Sequence, residues 1–170
     1  MSEGSDAPRR GWSSKRRETV YRELRDVLDS QQSVMDDIDD KAQRTVRITA
    51  LLLGVAVPAA GLTAVTFQPL LAAVGVLALV LSAIVGVLTY GESDLVVGPS
   101  GAYAVSLATG DDADWELDFL VELASWTESN AADIADNGRL LFYTQALFVV
   151  GIVALTASVA FYPVVTYLGT

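Results

Sequence analysis

The sequence predicts an all-α integral membrane protein with three transmembrane helices, an antiparallel hairpin plus a third span, and two long amphipathic cytoplasmic helices leading into spans one and three. Three observations predict it. Ile48–Phe67 and Leu70–Tyr90 are apolar runs of 20 and 21 residues without a charged side chain. At about 1.5 Å of rise per residue each reaches roughly 30 Å, the thickness of a bilayer core. Only Gln68 and Pro69 separate them, and a third uncharged run extends from Leu140 to Tyr167. So short a link forces a tight reversal, with the first two helices side by side.

Composition narrows the chemistry. There is no cysteine and no histidine, so a zinc centre, a thiolate nucleophile or a Ser-His triad cannot be built from this chain alone. No catalytic, metal or cofactor site is expected, and no nucleic-acid polymer as partner. The net charge of -10 is unevenly spread: residues 1–47 hold 10 acidic and 10 basic side chains, whereas residues 92–139 hold 11 acidic and one basic. Asp (14) outnumbers Glu (7) and Arg (9) outnumbers Lys (2). That acidic pattern suits a halophilic protein working in concentrated salt, and it equally suits a local acidic segment on an ordinary membrane protein.

Residues 1–12 are rich in Ser, Gly and Pro, too polar to offset their ordering entropy, and read as a loose tail. Arg9-Arg10 lies almost forty residues before the first apolar run, too far for a twin-arginine signal, and no cleavable signal peptide is expected. A cytoplasmic helix over 13–47 starts at a Ser13 or Ser14 cap. Its apolar positions Val20, Leu24, Val27, Leu28, Val34, Met35, Ile38 and Ala42 recur at steps of three and four, with Gln31 in the one gap. The stripe fits a neighbouring helix of the same chain, a parallel coiled coil between chains, or a lipid surface. Asp36, Asp37, Asp39 and Asp40 argue against the last, because an anionic surface repels them. Lys41, Arg44 and Arg47 follow on one face just before the first span, placed to anchor headgroup phosphates.

Within the hairpin, 48–90, Pro58 lies four residues after Gly54, a pairing that favours a kink. Gly54 and Gly61 share a face, and Gly75, Ala78, Ser82 and Gly86 form a ladder of small residues that suits close helix approach, within the chain or in an oligomer. Residues 91–112, punctuated by glycine, read as a loop. Asp111, Asp112 and Asp114 are N-cap candidates for a cytoplasmic acidic helix over 113–139. Its apolar positions Phe119, Leu123, Trp126, Ile134 and Leu141 run on into the third span, 140–168. Gln145 is the strongest polar group inside any span and suits a hydrogen bond between helices.

With three spans, all 11 Lys and Arg fall on the side of the N-terminus and residues 91–139. The positive-inside rule makes that side cytoplasmic and places the chain in the plasma membrane. The two cytoplasmic helices then run parallel, with Lys15, Arg16, Arg22 and Arg25 able to meet Glu116, Glu122 and Glu128.

The run Asp39-Asp40-Lys41-Ala42, entering a two-span hairpin and followed by a cytoplasmic helix continuous with a last span, resembles the transmembrane domain of bacterial and archaeal Pycsar membrane effectors. More loosely it is similar to SLATT domains of nucleotide-signalling defence systems. The resemblance covers Val34 to Ala160. It implies a multi-pass membrane protein in antiviral defence, linked to a cyclic nucleotide or a cyclase, that impairs the membrane after phage infection. Three function classes stand: an effector that forms a homo-oligomer in the lipid bilayer, a scaffold or regulatory subunit that holds a cytoplasmic partner through its helix pair, and an enzyme or transporter. The last lacks the buried ionisable residues it would need.

Overall fold

The computed structural model describes residues 12–59, 66–91, 95–110 and 113–168. They form four α-helices and, among the described residues, no strand: α1 (Lys15–Ala59), α2 (Pro69–Gly91), α3 (Gly101–Thr109) and α4 (Trp115–Leu168). The chain divides into two compact units, Met1–Gln32 with Leu95–Ala131, and Ser33–Asp94 with Ala132–Thr170. Both α1 and α4 contribute to each.

In the first unit α1 and α4 run side by side in the same direction, as the pairs Arg17–Glu116 and Gln31–Thr127 show. Ser14 caps α1, its hydroxyl accepting from the Arg17 N–H at 3.2 Å. The carbonyl of Asp114 opens α4 by accepting from the N–H of Leu117 and of Asp118. Leu28, Leu120 and Leu123 are buried in the seam, while Val20 and Val27 stay more than 40% exposed along its flank. The apolar stripe of α1 is thus wider than α4 covers.

The stretch 91–112, read from sequence as a loop, contains α3. Glycine punctuation conceals it, because Gly101 and Gly110 bound the helix instead of breaking it. Ser100 caps its start, accepting from the Tyr103 N–H, and the Gly110 N–H closes its end on the Ser106 carbonyl. Six rings tie these elements together in sequence: Trp115, Trp12, Tyr21, Phe119, Trp126 and Tyr103, with neighbouring centroids 4.9 to 6.4 Å apart.

In the second unit α2 runs antiparallel to α4. The Gln68 N–H donates to the Ser158 carbonyl, and the Ser158 hydroxyl donates back to the Gln68 carbonyl at 2.9 Å. Fourteen residues further along α2, the Ser82 hydroxyl donates to the Thr144 carbonyl at 2.7 Å. The first apolar run was expected to stay helical to Phe67, but Thr66, Phe67 and Gln68 are not helical. Ser158 holds Gln68 in place, and the Gln68 side chain caps α2 by accepting from the Leu71 N–H, with Pro69 fitting the first helical position. The helices α1 and α4 continue through Pro58 and Pro163.

The closeness of α2 and α4 has a steric origin. A Cβ on Gly75 would lie 2.7 Å from Leu155 Cγ, and one on Gly151 would lie 2.6 Å from Leu79 Cγ. A Cβ on Gly54 would meet nothing within 4 Å. Gly151→Ala is therefore expected to destabilise the second unit by about 1–3 kcal/mol through overpacking. Gly54→Ala should be neutral or slightly stabilising, since alanine favours the helix. Unfolding titrations in mixed micelles check the contrast, and equal losses for the two variants would refute it.

Candidate functional site

The second unit carries most of the residues singled out in the sequence, and its packing inverts that of a water-soluble bundle. Its interior is mostly small or polar: Gly75, Ala78, Ser82, Gly86, Thr89, Asn137, Thr144 and Ser158 are buried, beside the larger Met35, Ile38 and Leu79. Large aliphatic side chains point outward, among them Leu51, Val55, Leu70, Leu77 and Val153, each at least 60% exposed. Two helices, α2 and α4, are long and apolar enough to cross a membrane. Only 28% of the most apolar window of α2 and 17% of that of α4 are buried, whereas the core helix of a soluble protein is mostly covered.

Five buried hydroxyls are satisfied locally. Hydroxyls of Thr49, Thr89 and Thr144 donate to the carbonyl four residues earlier, and Ser82 and Ser158 bridge α2 to α4. An unpaired hydroxyl in hydrocarbon is costly, so these bonds let the helices approach without that loss.

The small-residue ladder of α2 lies inside the chain. Gly75 faces Leu155, Ser82 faces Thr144, and Gly86 faces Val46 and Thr144, so the ladder meets α1 and α4 together. Gly54 is exposed and open, and Gly61 falls outside the described residues. Lys41, Arg44 and Arg47 are all exposed. Lys41 pairs with Asp37 at 3.8 Å, and Arg47 donates to the side-chain Oε1 of Gln43 at 3.4 Å. Gln145 is also exposed, and among the described residues it has no partner for the hydrogen bond between helices expected of it. The reason is angular: Thr144, one residue earlier, takes the position facing α2.

In the first unit the charged contact between helices differs from the pairing read off the sequence. Arg22 pairs with Glu18 of its own helix, Arg25 donates to the Val97 carbonyl, and Glu122 accepts from the Trp126 indole N–H. The cross-helix contact instead converges on buried Glu116. It accepts from the Ser13 N–H at 2.7 Å, from the Ser13 hydroxyl, and from Arg17 at 3.2 Å. The Ser13 hydroxyl does most to hold the Glu116 carboxyl below its ordinary range; partial burial opposes this, and the Ser13 N–H and Arg17 reinforce it. Tyr103 is pushed up, by burial first and then by Glu122 and Asp118.

Two carboxamides do structural work that sequence reasoning missed. Asn130 accepts from the Val96 N–H at 2.9 Å and donates to the Val96 carbonyl at 3.0 Å, a pairing like that of a neighbouring strand. Gln31 donates to the Thr127 carbonyl at 2.8 Å. Gln31 interrupts an otherwise apolar stripe, a signal that could have marked it; Asn130 had none.

Among the described residues no group of three or more His, Cys, Asp or Glu is placed to hold a metal ion. No protein family, curated protein or solved structure matches the chain.

Because the Glu116 carboxyl is depressed in the fold, its contribution to stability is present above the ordinary value of 4.5 and is lost as pH falls through the lower folded value. Glu116→Gln should therefore destabilise the first unit most at neutral pH, with the difference from the unmodified protein shrinking below pH 4.5. Denaturant titrations followed by tryptophan fluorescence at several pH values check this. A pH-independent difference would remove the role of the carboxylate charge.

Proposed function

We propose that the chain is a three-span plasma-membrane protein, N-terminus cytoplasmic, that acts as a nucleotide-signalled effector in antiviral defence and impairs the membrane as an oligomer. The observation that carries the membrane reading is the inverted packing of the second unit, with most of its large aliphatic side chains outside and mostly small or polar groups inside. The placement of all 11 Lys and Arg on the side of the N-terminus and residues 91–139 supports the orientation. Support for the defence role comes from the resemblance around Asp39-Asp40-Lys41-Ala42.

The need for several copies follows from the packing. Leucine side chains close over Gly75 and Gly151, so one chain leaves no room for a conducting path along α2 and α4. Charged side chains are absent from all three apolar runs, which suits disruption of the bilayer better than selective conduction.

One observation favours a second reading, a scaffold. An open groove of about 490 Å³ runs along the first unit, lined by Val20, Leu24, Leu117, Leu120, Val121 and Ala124, with Arg16 among its lining residues. Exposed aliphatic surface of this kind on a cytoplasmic unit suits a partner helix.

Single cysteines at the exposed positions Ser30, Thr109 and Thr66 test the topology. On intact cells an impermeant thiol reagent should label only the Thr66→Cys variant; labelling at Ser30 or Thr109 would reverse or break the three-span arrangement. Function is read separately. Overexpression with cyclic nucleotides supplied should depolarise the host membrane, and a harmless protein under those conditions would leave the scaffold reading in its place.

A further inference from the structure

The second unit leaves an exposed carboxamide stranded. Gln145 lies in the apolar run of α4, exposed, with no hydrogen-bond partner among the described residues. It comes six residues after Arg139, roughly 9 Å further along the helix, and so past the basic residue that would mark the headgroup level. Lipid tails offer it neither donor nor acceptor.

Its surroundings are ordered. Phe142, Gln145, Val149, Ile152, Thr156 and Val159 are all exposed, and their positions alternate in steps of three and four. That alternation is the spacing by which one helix packs along another, although Tyr143, Val150 and Val153 beside it are exposed too. The opposite face of α4, with Thr144, Gly151, Ala154 and Ser158, is buried within the chain, so the seam is not used internally. One step before Phe142 comes Gly138, where an added Cβ would meet nothing within 4 Å, leaving room for close approach.

We propose that this face of α4 is the contact between two copies of the chain in the membrane, with Gln145 of each copy hydrogen-bonded to Gln145 of the other. The carboxamide itself selects this occupant. It carries both N–H donors and a carbonyl acceptor, so two glutamines facing each other across a two-fold axis satisfy one another with a reciprocal pair of N–H···O bonds. Copies inserted in the same orientation hold Gln145 at the same depth, as a two-fold axis along the membrane normal requires. The inference rests on the membrane reading of the second unit and is independent of the defence role.

The chain has no cysteine of its own, so single cysteines report the interface directly. Phe142→Cys, Val149→Cys and Ile152→Cys, each with Gln145 intact, should form disulfide-linked dimers on oxidation of native membranes. Val150→Cys on α4 and Leu81→Cys on α2, exposed but off the seam, should not. No linkage along the seam, or equal linkage at all five positions, in a chain that resists alkaline extraction would overturn the interface alone. Release of the chain by alkaline washing would overturn the membrane reading and the interface with it. Gln145→Leu should raise the dimer dissociation constant by about threefold to tenfold, and Gln145→Asn should retain most of the affinity. Unchanged association in Gln145→Leu would remove the carboxamide pair.

Discussion

The second unit depends on how closely α2 approaches α4. Two glycines make that approach, and each receives a leucine from the other helix: Gly75 lies under Leu155, and Gly151 lies under Leu79. The exchange is reciprocal, so neither helix can shift along the other without driving a side chain into backbone. Leu79 is fully buried as a result. The hydrogen bonds at Ser82–Thr144 and Ser158–Gln68 lie to either side of this contact. They use hydroxyls small enough to fit the same narrow spacing. Sterics set the distance and the hydroxyls set the register, which suits helices that cannot rely on the hydrophobic effect for association.

The first unit is held by different means. Its seam buries leucines in the manner of a soluble helix pair, and a run of six aromatic rings joins both long helices to α3. Side-chain carboxamides and a carboxylate finish what backbone pairing leaves open. Asn130 supplies both hydrogen bonds of Val96, and Glu116 gathers Ser13 and Arg17 at the start of the two helices. Most exposed ion pairs contribute little. The one at Glu116 is distinguished by a buried carboxylate with several donors, so its contribution follows the protonation of a single group.

These two modes of packing bear on the proposed role. A unit whose interior is already filled by its own small residues has its polar ladder committed within one chain. Any assembly must then use the outward faces, where, among the described residues, Gln145 is a carboxamide left without a partner. The open groove of the first unit, with Val121 62% exposed, is a separate surface of different chemistry. The proposed membrane assembly and the alternative capture of a partner would therefore use different residues and be separable by mutation.

Much of the helical layout was legible in the residues alone, because apolar period and the absence of charge are local properties. The starts of α1 and α4 were legible to within a few residues, from the choice of Ser13 or Ser14 and from the Asp111, Asp112 and Asp114 candidates, since a cap acts within three residues of itself. The helix α3 was not, because its bounding glycines carry the same signal as a loop. The small-residue ladder was visible, but its use was not: a glycine shows that something can approach, and only the fold reveals that Leu155 and Val46 do. Likewise Gln145 and Thr144 are adjacent in sequence, and a rotation of about 100° per residue separates a buried hydroxyl from a stranded carboxamide. Sequence determined which stretches are helical and apolar. The tertiary structure decided which face of each helix is consumed inside the chain, because that depends on side chains forty or more residues away in sequence meeting across a gap only glycine leaves open.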